Sequence, residues 1–297
     1  MNRNIKDTIV ESLTGICVLV IIFIIVSILA VTIIGGWPNL NWAFLSEFPR
    51  EGMTKGGIFP AIVGTAIMTI IMAVAAVPFG VITAIYLAEY ANEKSVIAKT
   101  IRFAVKTLAV VPSIIFGLFG LGFFIGFIGK NMDSLFSGGA LRWGQPNILW
   151  ASLTMALLTL PVVIVSVEEA IHTIPRDMRE ASLALGATKW QTIRKVVLPG
   201  SISGILTGTI LAVSRGAGEV APILFTGAVY FSSHLPHSLS DQFMSLGYHI
   251  YIMSTQSSNV DATQPIQFAT TLVLLLLTFS LNAVAVTLRY RIRKKAK

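Results

Sequence analysis

Six separate runs of predominantly apolar residues divide the chain, and no other feature restricts its fold as strongly. They cover roughly 13–34, 59–88, 108–128, 148–167, 202–225 and 268–288. Each is at least about as long as an α-helix must be to cross the ~30 Å hydrocarbon layer of a bilayer. The second exceeds a straight span, which calls for tilt or an interfacial continuation. Composition agrees: 54% of residues are hydrophobic and 12% are charged, against about a quarter charged in soluble domains. The expected fold class is an all-α membrane protein with six transmembrane helices.

Lys and Arg set the orientation of such a bundle, because cytoplasmic loops hold their excess. One set of loops carries Arg3 and Lys6, then Lys94, Lys99, Arg102 and Lys106. The same set continues with Arg176, Arg179, Lys189, Arg194 and Lys195, and ends with Arg289, Arg291, Arg293, Lys294, Lys295 and Lys297. The opposite set holds Arg50, Lys55, Lys130 and Arg142, and 226–265 has no Lys or Arg. Both termini are thus expected in the cytoplasm. The net charge of +8 becomes a signal of topology instead of nucleic-acid binding. The opening "MNRNIK" is basic like a leader, but the apolar run behind it is long and lacks an A-x-A site, so a retained anchor is expected. Trp37, Trp42, Trp143 and Trp150 fall where interfacial anchors are expected, and Cys17 reads as a small core residue.

Catalytic and cofactor patterns fail. His172, His234, His237 and His249 lack metal-ligand spacing and read as loop histidines, and no P-loop is present. "GAGEVA" fits G-x-G-x-x-A, yet that fingerprint requires a βαβ unit and here lies inside an apolar span. Gly122/Gly126 and Gly204/Gly208 form G-x-x-x-G pairs, which permit close helix packing.

The fifth run contains "LAVSRGAGEVAPILF", with Arg215 and Glu219 in otherwise apolar sequence. Counted from Ser201 at ~1.5 Å per residue, Arg215 lies ~20 Å in, near mid-membrane. A charge there costs about 2.5–3.5 kcal/mol on insertion scales and is expected to face a bundle interior or water. Glu219 comes four residues later and offsets part of that cost. Gly216, Gly218 and Pro222 loosen the helix around the pair. Two readings stand: Arg215 offers a planar fork of donors to an oxyanion with Glu219 as counter-charge, or the two form a structural ion pair. Hydroxyls of Ser113, Thr159, Thr207 and Ser214 are more simply satisfied by their own backbone.

The loop 168–199, "EEAIHTIPRDMREASLALGATKWQTIRKVVLP", is the most patterned segment. Met178, Ala181, Ser182 and Leu185 share one helical face, and Gly186 stops that helix. Thr188 and Gln191 form a T-x-x-Q capping box for a second helix with Trp190, Ile193 and Val197 on its apolar side. Pro199 is expected to end it before the fifth span. Glu180-Ala181-Ser182, three residues, Gly186, nine residues, then Val196-Val197-Leu198-Pro199 resembles the EAA loop of ABC importer permeases. That motif reads EAA, three residues, G, nine residues, I-x-L-P; here Ser182 replaces an alanine and Val196 an isoleucine.

The resemblance implies a type I (MetI-like) permease fold. It also implies that this loop is a coupling helix seated in a cleft of a separate ATPase, with Glu180 and Gly186 as contact and hinge. Over about 56–290, "GGIFPAIVGT", "YLAEYA", "VPSIIFGLFGLGFF", "ALGATKWQTIRKVVLPG" and "RGAGEVAPILFT" are similar to PstA-type permeases of phosphate importers, as is "LPHSLSDQFM". That likeness implies a permease core at 56–290, an anchor segment at 1–55 and a basic tail at 291–297. The chain would perform no chemistry and bind no cofactor, with ATP and Mg²⁺ on the ATPase. Implied partners are a PstC-like permease, two PstB-like ATPase subunits, a PstS-like extracytoplasmic binding protein and membrane lipid, with no nucleic acid. The implied location is a bacterial inner membrane.

Overall fold

A computed structural model describes residues 2–51, 55–92, 94–136, 138–257 and 259–295, and among them every large element is a helix. Helix α1 covers Asn2–Gly36, and the short α2 (Trp42–Ser46) comes next, its first turn capped by Asn41 accepting from the Phe44 N–H. A two-residue hairpin pairs β1 (Pro49–Arg50) with β2 (Lys55–Gly56). Then come α3 (Phe59–Ile85), α4 (Val96–Val110), α5 (Ser113–Phe119) and α6 (Lys130–Phe136). After them run α7 (Ile148–His172), α8 (Arg176–Ala184), α9 (Lys189–Thr192) and α10 (Leu198–Ala217). The last three are α11 (Ile223–Thr226), α12 (Leu246–Thr255) and α13 (Val260–Lys295). Six helical stretches among the described residues are long and apolar enough to cross a membrane.

Helix α7 is the centre of the bundle, packed by α3 on one side and α10 on another. Ala151, Met155, Val163, Val167 and Ile171 are fully buried along it. Its hydroxyls stay dry because they bond their own helix: Ser152 to the Ile148 carbonyl, Thr154 to Trp150 and Thr159 to Met155. The long loop before α12 folds back over the N-terminus of α7. Backbone carbonyls of Asp241 and Leu239 accept from Ile148 and Leu149, groups a helix start leaves without partners. Buried Asp133 fixes the neighbouring turn by accepting from the N–H groups of Arg142, Trp143 and Gly144.

Several boundaries differ from the sequence pattern. The third span begins at Ser113, not at 108, and runs to Phe136. Pro112 pushes Val111 into an extended conformation, which splits 108–110 off into α4. That helix buries Ala98 and Val105 on one face and leaves Val96, Ile97 and Phe103 exposed, so it is amphipathic and separate from the spans. The fifth helical stretch starts at Lys189 and runs through Pro199 to Ala217. Pro199 lacks an N–H and crowds the carbonyl four residues back; a π-helical turn at Ile193–Val197 absorbs this, so the helix continues where a stop was expected. The sixth extends over Val260–Lys295.

Individual expectations shift too. Trp150 is a core residue, 4% exposed, stacked on Phe124 and donating its indole N–H to the Trp143 carbonyl, whereas Trp37 and Trp42 are exposed. Cys17 is exposed on α1, not buried. His249 lies inside α12, not in a loop, and burial pulls its imidazole pKa down to about 4, so it is neutral at neutral pH. No contact beyond the helix itself meets Gly122 or Gly126, so that G-x-x-x-G pair packs against nothing in the described chain. Ala296 and Lys297, and the side chains of Arg3, Lys6, Arg289, Arg293, Lys294 and Lys295, lie outside the described residues.

Candidate functional site

Two groups of polar residues depart from the apolar bundle. The first is the α8–α9 hairpin. Helix α8 starts after Pro175 and ends at Gly186, whose φ of +84° is open to glycine and strained for other residues. The Ala187 N–H bonds the Ser182 carbonyl and the Gly186 N–H bonds the Leu183 carbonyl, the paired closure of a Schellman motif. Thr188 and Gln191 then cap α9 reciprocally, as their spacing requires.

No residue of α8 is buried. Glu180 and Ala181 are exposed, with Met178 and Leu185 beside them at 51% and 90% exposure. The apolar face read from the sequence therefore points away from the body of the chain. Ser182 is half-buried, and its hydroxyl pairs with that of Thr192 at 2.9 Å, joining the two arms of the hairpin. On the second arm Ile193 and Val197 are buried but Trp190 is exposed; Leu198 is half-buried and Pro199 exposed.

Beneath this hairpin lie contacts that no local sequence pattern marks. Arg179 pairs with Glu89, and Arg102 pairs with Glu168 while also donating to the Leu87 carbonyl. The only hint is chemical: Glu89 and Glu168 sit at the ends of apolar runs, where a carboxylate needs a cationic partner.

The second group is the broken end of α10. The helix closes at Ala217, with the N–H groups of Gly218 and Glu219 turning back to the carbonyls of Arg215 and Gly216. Pro222 cannot continue an α-helical ladder, and the chain resumes as the four-residue α11. Glu219 thus lies past the helix end and not on it, yet Arg215 Nε stands 3.7 Å from Glu219 Oε1. This is a contact of charges without a hydrogen bond. The Arg215 side chain is 67% exposed and that of Glu219 24%.

The depth of the pair is set by helix register. Gly200, Gly204, Gly208 and Gly216 line one stripe of α10 at multiples of four residues. A Cβ on Gly204 would stand 2.6 Å from the Ala170 Cβ, one on Gly208 would overlap Ser166, and one on Gly216 would meet Met72 and Thr159. Close packing at Gly204 and Gly208 agrees with their spacing. Thr159 lies near the middle of α7, so Arg215 sits roughly halfway along the bundle. Among the neighbouring hydroxyls, Thr159 and Thr207 bond backbone as expected, whereas Ser214 bonds the side chain of Asn282 on α13. No local sequence signal marks Asn282 for that role.

Residues 76–294 match the family described as binding-protein-dependent transport system inner membrane component. A probable ABC transporter permease, YqgI of Bacillus subtilis, is 32% identical over 273 residues, covering 88% of each chain. The phosphate transport system permease protein PstA of Yersinia pestis is 36% identical over 245 residues, 82% of this chain and 74% of that one. PstA 1 of Mycobacterium tuberculosis is 32% identical over 228 residues, 75% of this chain and 70% of its own. Among solved structures, a bacterial alginate ABC transporter matches with a TM-score of 0.69 at 14% identity, over 97% of this chain and 96% of the other. An inward-facing MetNI methionine transporter gives 0.58 at 18%, over 78% and 94%. At those identities the likeness is one of fold.

Proposed function

The chain belongs to the binding-protein-dependent transport inner membrane components, and from that premise we propose that it is the membrane-spanning subunit of an ATP-driven phosphate importer. Family members are multi-pass transport subunits and not enzymes, with ATP hydrolysis on a separate polypeptide. Membership also disfavours an ion-coupled carrier or channel working without an ATPase. The anion assignment is supported by relatives named for phosphate transport, at 36% and 32% identity over most of the chain.

The observation that carries the mechanism is the exposed α8–α9 hairpin, built with two capped ends yet leaving the apolar side chains of α8 uncovered. A helix whose apolar residues point outward is made to be covered by a partner. In the proposed assembly it seats in a cleft of the ATPase, with Glu180, Ala181, Ser182, Gly186, Leu198 and Pro199 in or beside the coupling segment. The complex contains a second, PstC-like permease, two PstB-like ATPases holding ATP and Mg²⁺, and a PstS-like binding protein that delivers phosphate outside. Residues 1–55 serve as anchor, 56–290 as core and 291–297 as a cytoplasmic tail, with both termini inside the cell.

Closure of the ATPases moves the hairpin and reorients the spans around a central path. Arg215 meets the anion there with its free guanidinium donors, and Glu219 keeps the empty site near neutral so that the anion leaves. The 3.7 Å separation, too long for a hydrogen bond, leaves guanidinium donors unused and favours this over a structural pair.

The test is ATP hydrolysis by the reconstituted complex, stimulated by binding protein loaded with phosphate, sulfate, molybdate or phosphonate. Stimulation by phosphate alone is expected. A response to sulfate or molybdate in its place would move the assignment to that oxyanion.

A further inference from the structure

Helix α8 is hydrogen-bonded to the ends of α3 and α7 through one side chain, Arg179. Arg179 and Ser182 are its least exposed residues, and Ser182 bonds Thr192, in the first turn of the fifth spanning stretch. Arg179 donates through Nε to Glu89 Oε1 at 3.0 Å, and its Nη2 lies 2.9 Å from the same oxygen. Its Nη1 also donates to the Ile174 carbonyl, and Nη2 to the Ile171 carbonyl at 2.9 Å. Ile171 lies in the last turn of α7, its carbonyl also accepting from the Ile174 N–H, and Ile174 lies just past the helix end. Glu89 lies in the π-helical turn Tyr86–Tyr90 that ends α3. One guanidinium therefore fastens three elements: α8, the end of α3 and the end of α7.

The pair is nearly closed from solvent, at 19% exposure for Arg179 and 9% for Glu89. A planar fork that meets a carboxylate and two carbonyls fixes direction as well as distance, which a lysine cannot do. A cavity of about 260 Å³ lies beside it, lined by Glu89, Arg179, Leu183, Lys189, Thr192 and Ile193. From this point α3 and α7, each passing one internal proline (Pro78 and Pro161), run to the level of Gly216, where Met72 and Thr159 abut α10 next to Arg215. A continuous chain of packed helices thus joins the exposed hairpin to the mid-depth charge pair.

We propose that Arg179 is the positioning residue that passes displacement of α8 to α3 and α7, so that hydrolysis by the motor is spent on moving the anion. This rests on the reading of α8–α9 as the ATPase-docking segment. It assigns transmission to the guanidinium joint, apart from the docking surface.

The experiment uses the full complex in proteoliposomes, with inorganic phosphate uptake and ATP hydrolysis measured on one preparation. Arg179→Gln is expected to keep the ATPase in the purified complex, since the exposed face of α8 is untouched. Phosphate moved per ATP is expected to fall about tenfold, a size typical of coupling between sites. Arg179→Lys should recover part of the ratio, because it restores charge without the fork. The double variant Arg179→Gln with Glu89→Gln removes the joint and leaves no orphaned carboxylate, so it reads coupling even where the single variant folds poorly. A wild-type ratio in that double variant overturns the proposal. Leu185→Asp, at the exposed apex and away from the joint, separates the two ideas. It should abolish recovery of the ATPase, and full recovery would sink the docking reading itself.

Discussion

Arg179–Glu89 and Arg215–Glu219 use the same two residue types to opposite ends. The first pair is 90 residues apart in sequence and closed, with the guanidinium also bonded to two backbone carbonyls. The second is four residues apart and open at 3.7 Å, with its arginine two-thirds exposed. Nearness along the chain thus says little about closure. What distinguishes them is whether the donors are used up: a satisfied fork holds elements together, and an unsatisfied one is free to take a ligand.

The largest effect that would sharpen this contrast is on stability. Arg179→Gln alone leaves Glu89 nearly buried and unpaired, which should cost about 3–5 kcal/mol, with Glu89→Gln on top restoring most of it. Thermal unfolding of the purified complex reads both. Arg215→Gln should cost less than about 1 kcal/mol in the same melt, since Glu219 keeps access to water and makes no hydrogen bond to the guanidinium. Its uptake should fall roughly 10- to 150-fold, the worth of a charged hydrogen bond of about 1.5–3 kcal/mol. If Arg215→Gln instead destabilises as much as Arg179→Gln, the two pairs are of one kind and the anion contact is lost as an explanation.

Smaller changes probe each pair's surroundings. Glu219→Gln removes a partly exposed counter-charge, so phosphate should bind about two- to fivefold more tightly and turn over correspondingly more slowly. Binding to the solubilised complex and uptake at saturating phosphate separate those two quantities. Ser182→Ala, which restores the residue usual in the EAA pattern, should cost under about 1 kcal/mol and leave uptake within about twofold.

Much of the fold was legible where a residue's role depends on its near neighbours along the chain. Six apolar runs gave six spans, Gly186 stopped α8, Thr188 and Gln191 capped α9, and Gly204 with Gly208 marked a close helix contact. The pattern misled where a distant or compensating contact decides. Pro199 fails to stop a helix because a π-helical turn beside it takes up the clash, and Trp150 is buried because Phe124 stacks on it. At the candidate site, Arg215 and Glu219 were visible as charges in apolar sequence, and their separation was not. Arg179 counted only as one of many loop cations, since its partner lies on another span.

The early end of α10 also gives the subunit a bearing. At mid-depth the helical ladder is interrupted between Ala217 and Ile223, and Gly218 in that break is uncovered. Irregular backbone is not tolerated against lipid tails, only against protein or water. The side of the bundle carrying this break must therefore turn away from the lipid. A rotational alignment in the membrane is thus written into one interrupted helix, before any partner's surface is considered.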